Sequence, residues 1–261
     1  MNRKTIIGVP CRNCEKTIGF ILECLLPALK KNTSISIVVM DNRSSDRTVE
    51  MAEVFVAKNK NVRDRIKIVA NKRNLGYGGT QKCLLSMARR MKAEYFMNVH
   101  GDGQGDPTDI FRRFDEAVRK RPNATLFLAS RFLNRSKIDD YDRERVWGNK
   151  LFNLITAWAT GVELTDYGTG IMCVHVGRTK DLDLNCLPPN LLFHPVLNLM
   201  VADAYPERIH EVPLRWGRAE STSVNLISYG LRYLLFLAKY LFFKKIKKDT
   251  TPVALRRASF D

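Results

Sequence analysis

The chain has 261 residues, 43 Lys and Arg against 27 Asp and Glu, a formal charge of +16 and six cysteines. That length allows one substantial core without a division into two domains, and the positive excess favours polyanionic partners such as nucleotides, nucleic acid or anionic lipid without choosing among them. The N-terminal apolar run is too short for a signal peptide and Cys11-x-x-Cys14 has no second pair at zinc-finger spacing, so we expect a reduced, cytosolic protein whose Cys pair is structural in preference to thioredoxin-like.

Short β-branched or apolar runs alternate with longer helical patterns. Strands are expected at Thr5 to Val9, Ile35 to Met40, Ile66 to Ala70, Tyr95 to Val99 and Thr125 to Ala129, and helices at Glu15 to Lys30, Asp46 to Lys58, Gly78 to Lys92 and Pro107 to Arg121. This order implies a parallel sheet with right-handed crossovers. Ser45 or Asp46 suits the N-cap of the second helix, and Asp106 followed by Pro107 suits that of the fourth. Beyond Arg131 come a charged segment through Arg145, a helix around Trp147 to Thr160, and isolated strands near Ile171 to Val174 and Arg208 to Pro213, an elaboration on the acceptor side of the same sheet.

Leu226 to Lys248 is a long apolar segment interrupted by Arg232 and Lys239, seven residues apart on one helical face, and ending in Lys244-Lys245-Ile246-Lys247-Lys248. Its charge-free stretch is shorter than the ~20 residues of a membrane span, which favours a helix lying in the bilayer interface with its lysines on anionic headgroups; the alternative is a core helix with a solvated polar stripe. The expected organisation is a catalytic domain over 1–225, this helix over 226–248 and a basic tail over 249–261, at the cytoplasmic face of a membrane.

The loop His100-Gly101-Asp102-Gly103-Gln104-Gly105-Asp106-Pro107 follows the apolar run Tyr95 to Val99 and sets imidazole, carboxylate and amide on alternate residues. At the carboxyl end of a strand, where open α/β sheets bind ligands, these groups could seat Mg²⁺ or Mn²⁺ against a diphosphate; a Gly-rich turn with a satisfied histidine is the alternative. Three more segments carry polar or flexible chemistry: Asp41-Asn42-Arg43-Ser44-Ser45 after the second strand, Asn74-Leu75-Gly76-Tyr77-Gly78 opening the third helix, and the basic loop Leu214 to Ser223.

Taken in order with Val9-Pro10-Cys11-Arg12-Asn13, these motifs resemble the family 2 glycosyltransferases of GT-A fold, and among them the polyprenyl-phosphate glycosyltransferases, over about residues 4 to 240. The resemblance implies a Rossmann-like α/β GT-A fold with a mostly parallel central sheet and a C-terminal amphipathic, basic helix. It implies that Pro10, Asn13, Asp41, Asn42, Asn74, Gly76, Gly78, Lys82 and Gly101 serve the nucleotide sugar, that His100, Asp102 and Gln104 hold Mn²⁺ or Mg²⁺, and that Arg131 faces an acceptor phosphate, with Arg145, Arg215, Arg218 and Ser221 as further phosphate contacts. His100 replaces the first acid of the family's metal motif, which suits Mn²⁺ better than Mg²⁺. Cys14 stands where the family usually has Glu, and Phe193-His194-Pro195 where an acid is often found.

The implied reaction is inverting transfer of a sugar from a UDP- or GDP-sugar to a polyprenyl phosphate. Such an acceptor is already an anion and needs no general base, in keeping with the lack of a convincing carboxylate beyond the metal loop; Asp166 is the candidate if a base is used. Transfer to a saccharide or protein hydroxyl is the alternative. A nucleic-acid-binding protein is a distant one, because the basic runs lack interleaved aromatics.

Overall fold

The structure is a computed structural model describing residues 3–134, 136–138, 143–216 and 226–246. A seven-stranded sheet runs in the order β3-β2-β1-β4-β7-β5-β8. Its strands are β1 (Thr5–Cys11), β2 (Ile35–Asp41), β3 (Ile66–Ala70), β4 (Tyr95–Asn98), β5 (Leu126–Ser130), β7 (Met172–His175) and β8 (Ile209–Pro213), while β6 (Lys137–Ile138) and β9 (Arg215–Trp216) form a separate parallel pair. All pairings in the large sheet are parallel except those of β7, which lies antiparallel between β4 and β5.

β1, β2 and β4 are continuous apolar runs because helices cover both of their faces. One layer holds α1 (Ile18–Lys31), α2 (Thr48–Lys58) and α4 (Pro107–Lys120); the other holds α3 (Gly76–Arg90), α5 (Arg143–Thr160), α6 (Phe193–Ala204) and α7 (Leu226–Leu241). In α1 the buried Ile18, Ile21, Leu22, Leu25 and Leu29 recur at helical spacing. Asp106 caps α4 as expected, accepting from the backbone N–H groups of Thr108 and Asp109. The N-cap of α2 is Arg47, not Ser45 or Asp46, although Asp46 Oδ1 still accepts from Thr48 N at 3.0 Å.

Three features of the second half depart from the sequence reading. The strand expected to be isolated near Ile171 is central: Cys173 pairs with Met97 on one side and Phe127 on the other. The helix α6, buried from Phe193 to Ala202, had no predicted counterpart because it is apolar on every face and so lacks a helical stripe. One face of the C-terminal helix is bound into the domain: Tyr233, Phe236, Leu237 and Tyr240 of α7 join the core, and Lys244, just past the helix, pairs with Asp203. Among the described residues, no helix is long and apolar enough to cross a membrane.

Candidate active site

The chain passes from β1 to β2 and β3 on one side and to β4 on the other, so a crevice opens at the carboxyl ends of β1 and β4. A cavity of about 270 Å³ lies there, walled by Pro10, Arg12 and the two cysteines after β1, by Asn42 after β2, by Asn74, Gly76, Tyr77 and Thr80 at the start of α3, and by His100, Gly101 and Asp102 after β4. Four segments far apart in sequence thus supply its walls.

Hydrogen bonds hold these loops together. Asn42 donates from its backbone to Cys11 O at 2.8 Å and from Nδ2 to Asn74 Oδ1 at 2.8 Å, while its own Oδ1 accepts from Leu75 N at 2.9 Å. Asn13, at φ 55°, accepts Ser45 N on Oδ1 at 2.9 Å. Gly101 is packed so closely that a Cβ would come within 2.6 Å of Pro10 O and 2.8 Å of Cys11 Sγ. The Cys11 and Cys14 thiols are free and donate to Val9 O at 3.6 Å and Arg12 O at 3.5 Å; the neighbouring Cys14 thiol and burial push Cys11 up, while the neighbouring Cys11 thiol moves Cys14 down.

At the rim, His100 Nδ1 is 3.9 Å from Asp102 Oδ2, and Asp102 is half exposed. Asp102 Oδ1 also accepts from the backbone of Gln104 at 3.1 Å. The His100 ring is mostly buried, with Nε2 3.1 Å from the Tyr77 hydroxyl and Trp216 edge-on at 6.2 Å. Burial lowers the His100 pKa, and nearby Asp102 only partly opposes this. The ring is therefore neutral near pH 7 and able to present a lone pair.

Several residues expected in the nucleotide site sit elsewhere. Asp41 is buried, its carboxylate taken by the backbone N–H and hydroxyl of Ser44, so it shapes the loop after β2. Lys82 reaches Asn185 O at 3.4 Å, away from the cavity, because it lies one turn along the outer side of α3. Gly78 is needed for packing: a Cβ there would stand 2.2 Å from Pro188 O and 2.8 Å from Asn190 O. Gly79 N donates to Pro189 O at 3.2 Å, so that protein carbonyl occupies one amide at the start of α3, beside the residues expected to serve the nucleotide sugar.

The acceptor-side residues need a larger correction. Asp166 is fully buried and takes two guanidinium bonds and a backbone bond from Arg131, which leaves it a structural counter-ion and not an accessible base. Arg131 is likewise buried, stacked over Trp216 and Phe132. Arg215 is on β9 and exposed. The side chain of Arg145, and Arg218 and Ser221 altogether, lie outside the described residues.

Residues 6–173 match the profile of glycosyl transferase family 2. The chain belongs to this family. It is 26% identical over 184 residues to the uncharacterized protein MJ1222 of Methanocaldococcus jannaschii, a match covering 67% of this chain and 66%, just under two thirds, of that protein. Its fold is similar to glucosyl-3-phosphoglycerate synthase from Mycobacterium tuberculosis: in complex with Mn²⁺, uridine diphosphate and phosphoglyceric acid the TM-score is 0.64 at 14% identity, covering 93% of this chain and 78% of the other. With uridine-diphosphate-glucose in addition to Mn²⁺ and phosphoglyceric acid the TM-score is 0.66 at 12% identity, covering 92% and 79%. This family 2 glycosyltransferase thus shares the α/β GT-A architecture, while the cavity-lining Tyr77 and Arg12 are features the motif reading passed over. An aromatic ring in the first turn of α3 was the available signal.

Proposed function

We propose that this family 2 glycosyltransferase moves a sugar from a nucleotide sugar to a phosphate-bearing lipid, a polyprenyl phosphate, at a membrane surface. The observation that carries the donor half is the cavity at the β1 and β4 ends with His100 and Asp102 at its rim. Their donor atoms, 3.9 Å apart, are no farther than two metal–ligand bonds of about 2.1 Å laid end to end, and imidazole with carboxylate fits Mn²⁺. Among the described residues no group of three or more His, Cys, Asp or Glu is gathered to hold an ion, so a cation here would need diphosphate oxygens to complete its coordination. When bound, the cation would neutralise the departing nucleoside diphosphate. His100 and Asp102 would hold it, with Gln104 next to them in the loop.

Asp102 is the one carboxylate among the described residues lining the cavity. With Asp166 committed to Arg131, a hydroxyl acceptor would find no carboxylate base besides Asp102 among the described residues lining the cavity, whereas a phosphate oxygen attacks the anomeric carbon already ionised. The anomeric bond to the diphosphate breaks as the new bond forms on the opposite face, and no proton need move.

An exposed apolar surface supports a lipid acceptor. On α5, Trp147, Leu151, Leu154 and Trp158 form an outward stripe at helical spacing; Leu231, Leu234 and Leu235 on α7 and Phe242 just past its end also face out, the eight being between 44% and 73% exposed. The two helices pack directly, with the Phe152 and Tyr233 rings 4.0 Å apart. Exposed Arg232, and Lys150 over the Trp147 ring at 5.9 Å, give this surface the mixture of apolar, aromatic and basic groups that suits an anionic interface. From the same helix α5, Asn149 reaches Arg131 at 3.5 Å, so the surface adjoins the Arg131 region.

The deciding experiment supplies labelled UDP- and GDP-sugars with Mn²⁺ and offers polyprenyl phosphate in anionic vesicles, phosphoglycerate, or a free saccharide. Label in the organic-extractable product is expected. Transfer only to phosphoglycerate or only to the saccharide would overturn the lipid acceptor.

A further inference from the structure

The sequence alone suggested a structural role for the Cys11-x-x-Cys14 pair; the fold sets both free thiols in the wall of the cavity at the carboxyl ends of β1 and β4. They are 3% and 8% exposed, and Asn13 between them, at φ 55°, turns the chain so that the two thiols are neighbours. Neither sulfur has a strong bond to give up, since S–H is a weak donor to the carbonyls of Val9 and Arg12. The segment that carries the pair is tied to both halves of the cavity. Asn42 N donates to Cys11 O, and Cys14 N donates to Thr48 Oγ1 at 2.7 Å, which joins it to the loop and helix after β2. Thr17 Oγ1 donates to Gly101 O at 2.6 Å, which joins it to the loop after β4. Gly101 is also seated on Cys11 itself: a Cβ there would come within 2.8 Å of the sulfur and 3.4 Å of Cα.

We propose that Cys11 and Cys14 form a reversible thiol–disulfide site whose closure reshapes the cavity wall and weakens binding of a nucleoside diphosphate. This rests on reading the cavity as the donor site. The oxidant is a low-molecular-weight disulfide, R–S–S–R, which reaches the pair through the cavity mouth. Cys14, the less buried of the two, attacks one sulfur of the oxidant as a thiolate; the R–S–S–R bond breaks and RS⁻ leaves. Cys11 then attacks the Cys14 sulfur and expels the second RS⁻. The two protein thiols lose two protons and two electrons, and two R–SH carry them away.

To bond, the two sulfurs must come to about 2.05 Å from each other. Cys11 Sγ then leaves its place against Gly101, and Cys14 Sγ leaves the carbonyl of Arg12, itself a wall residue. Because the turn is bonded to the loops after β2 and β4, the change reaches both sides of the cavity. The coupling runs in both directions: a ligand that binds the thiol form more tightly also disfavours the disulfide by the same factor.

The full chain is incubated with hydroxyethyl disulfide, a small neutral oxidant, then alkylated and digested with trypsin. Arg12 lies between the cysteines, so cleavage there separates peptides 5–12 and 13–16 unless a disulfide holds them together; the linked pair is expected. Binding of UDP and GDP with Mn²⁺, followed by equilibrium dialysis, is expected to weaken by about tenfold or more in the linked protein. It is expected to recover with dithiothreitol, with the circular dichroism spectrum constant throughout. Prior addition of the nucleotide that binds is expected to slow the linking. Cys24→Ser, Cys83→Ser and Cys186→Ser together are expected to leave the whole response in place. Mixed disulfides without the linked peptides would overturn the site, and so would a response lost in the triple variant. A link that leaves nucleotide binding unchanged, or that weakens it only by unfolding the chain, would overturn the coupling to the cavity. Thiol-form protein that binds neither nucleotide would end the donor-site reading itself, whether or not the link forms.

Discussion

Arg131 and Asp166 form a two-pronged ion pair, Nε to Oδ2 at 2.7 Å and Nη2 to Oδ1 at 2.8 Å, with the Arg131 backbone N–H adding a third bond to Oδ2 at 3.1 Å. The pair ties the end of β5 to the turn before β7. A second carboxylate, Glu211, holds the same turn by accepting from Thr165 N and Oγ1 and from Asp166 N, and burial raises its pKa despite those bonds. Because both ions of the Arg131 pair are desolvated, removing one strands the other. Asp166→Ala is expected to cost about 3–5 kcal/mol in urea unfolding. Lost activity with stability unchanged would instead give Asp166 a chemical role.

Asp102 is half exposed and has no ion pair shorter than 3.9 Å to His100. Asp102→Asn is therefore expected to change stability by less than about 0.5 kcal/mol and to lower Mn²⁺-dependent sugar transfer by about 10²–10³-fold. Thermal unfolding and a transfer assay on one preparation check both halves, and full activity with added Mn²⁺ would remove the assignment.

Gly78 faces backbone carbonyls, which cannot swing aside as a flexible side chain could. Gly78→Ala is expected to destabilise the protein by about 1–3 kcal/mol, measured as a lowered urea midpoint, by forcing α3 away from residues 188–190.

His194 is buried and its pKa is lowered well below the ordinary 6.5, first by burial and then by His100. The unfolded chain takes up this proton near pH 6.5 while the native state does not, so stability falls as the pH drops below that value. The slope from this group reaches about 1.4 kcal/mol per pH unit. His194→Leu is expected to flatten the acid limb of a stability–pH curve; an unchanged limb would mean the native imidazole is protonated after all.

The outward stripes of α5 and α7 predict binding to anionic vesicles. Leu151→Glu with Leu154→Glu is expected to abolish co-flotation with such vesicles while leaving the melting temperature close to wild type, since both side chains are exposed. Retained flotation would separate the lipid surface from these helices.

The sequence by itself determined the alternation of strands and helices in the first half, the cap at Asp106 and the placing of His100 and Asp102 just past a buried strand, because each depends on local periodicity and turn chemistry. Tertiary structure alone decided the rest. That Asp166 is a counter-ion, that Lys82 points at Asn185, that β7 slots antiparallel between β4 and β5, and that Tyr77 meets His100 across Gly170 are pairings between distant segments. A polar residue's type advertises its chemistry, but burial and the neighbour brought against it by folding determine whether that chemistry is spent on the fold or left for a ligand.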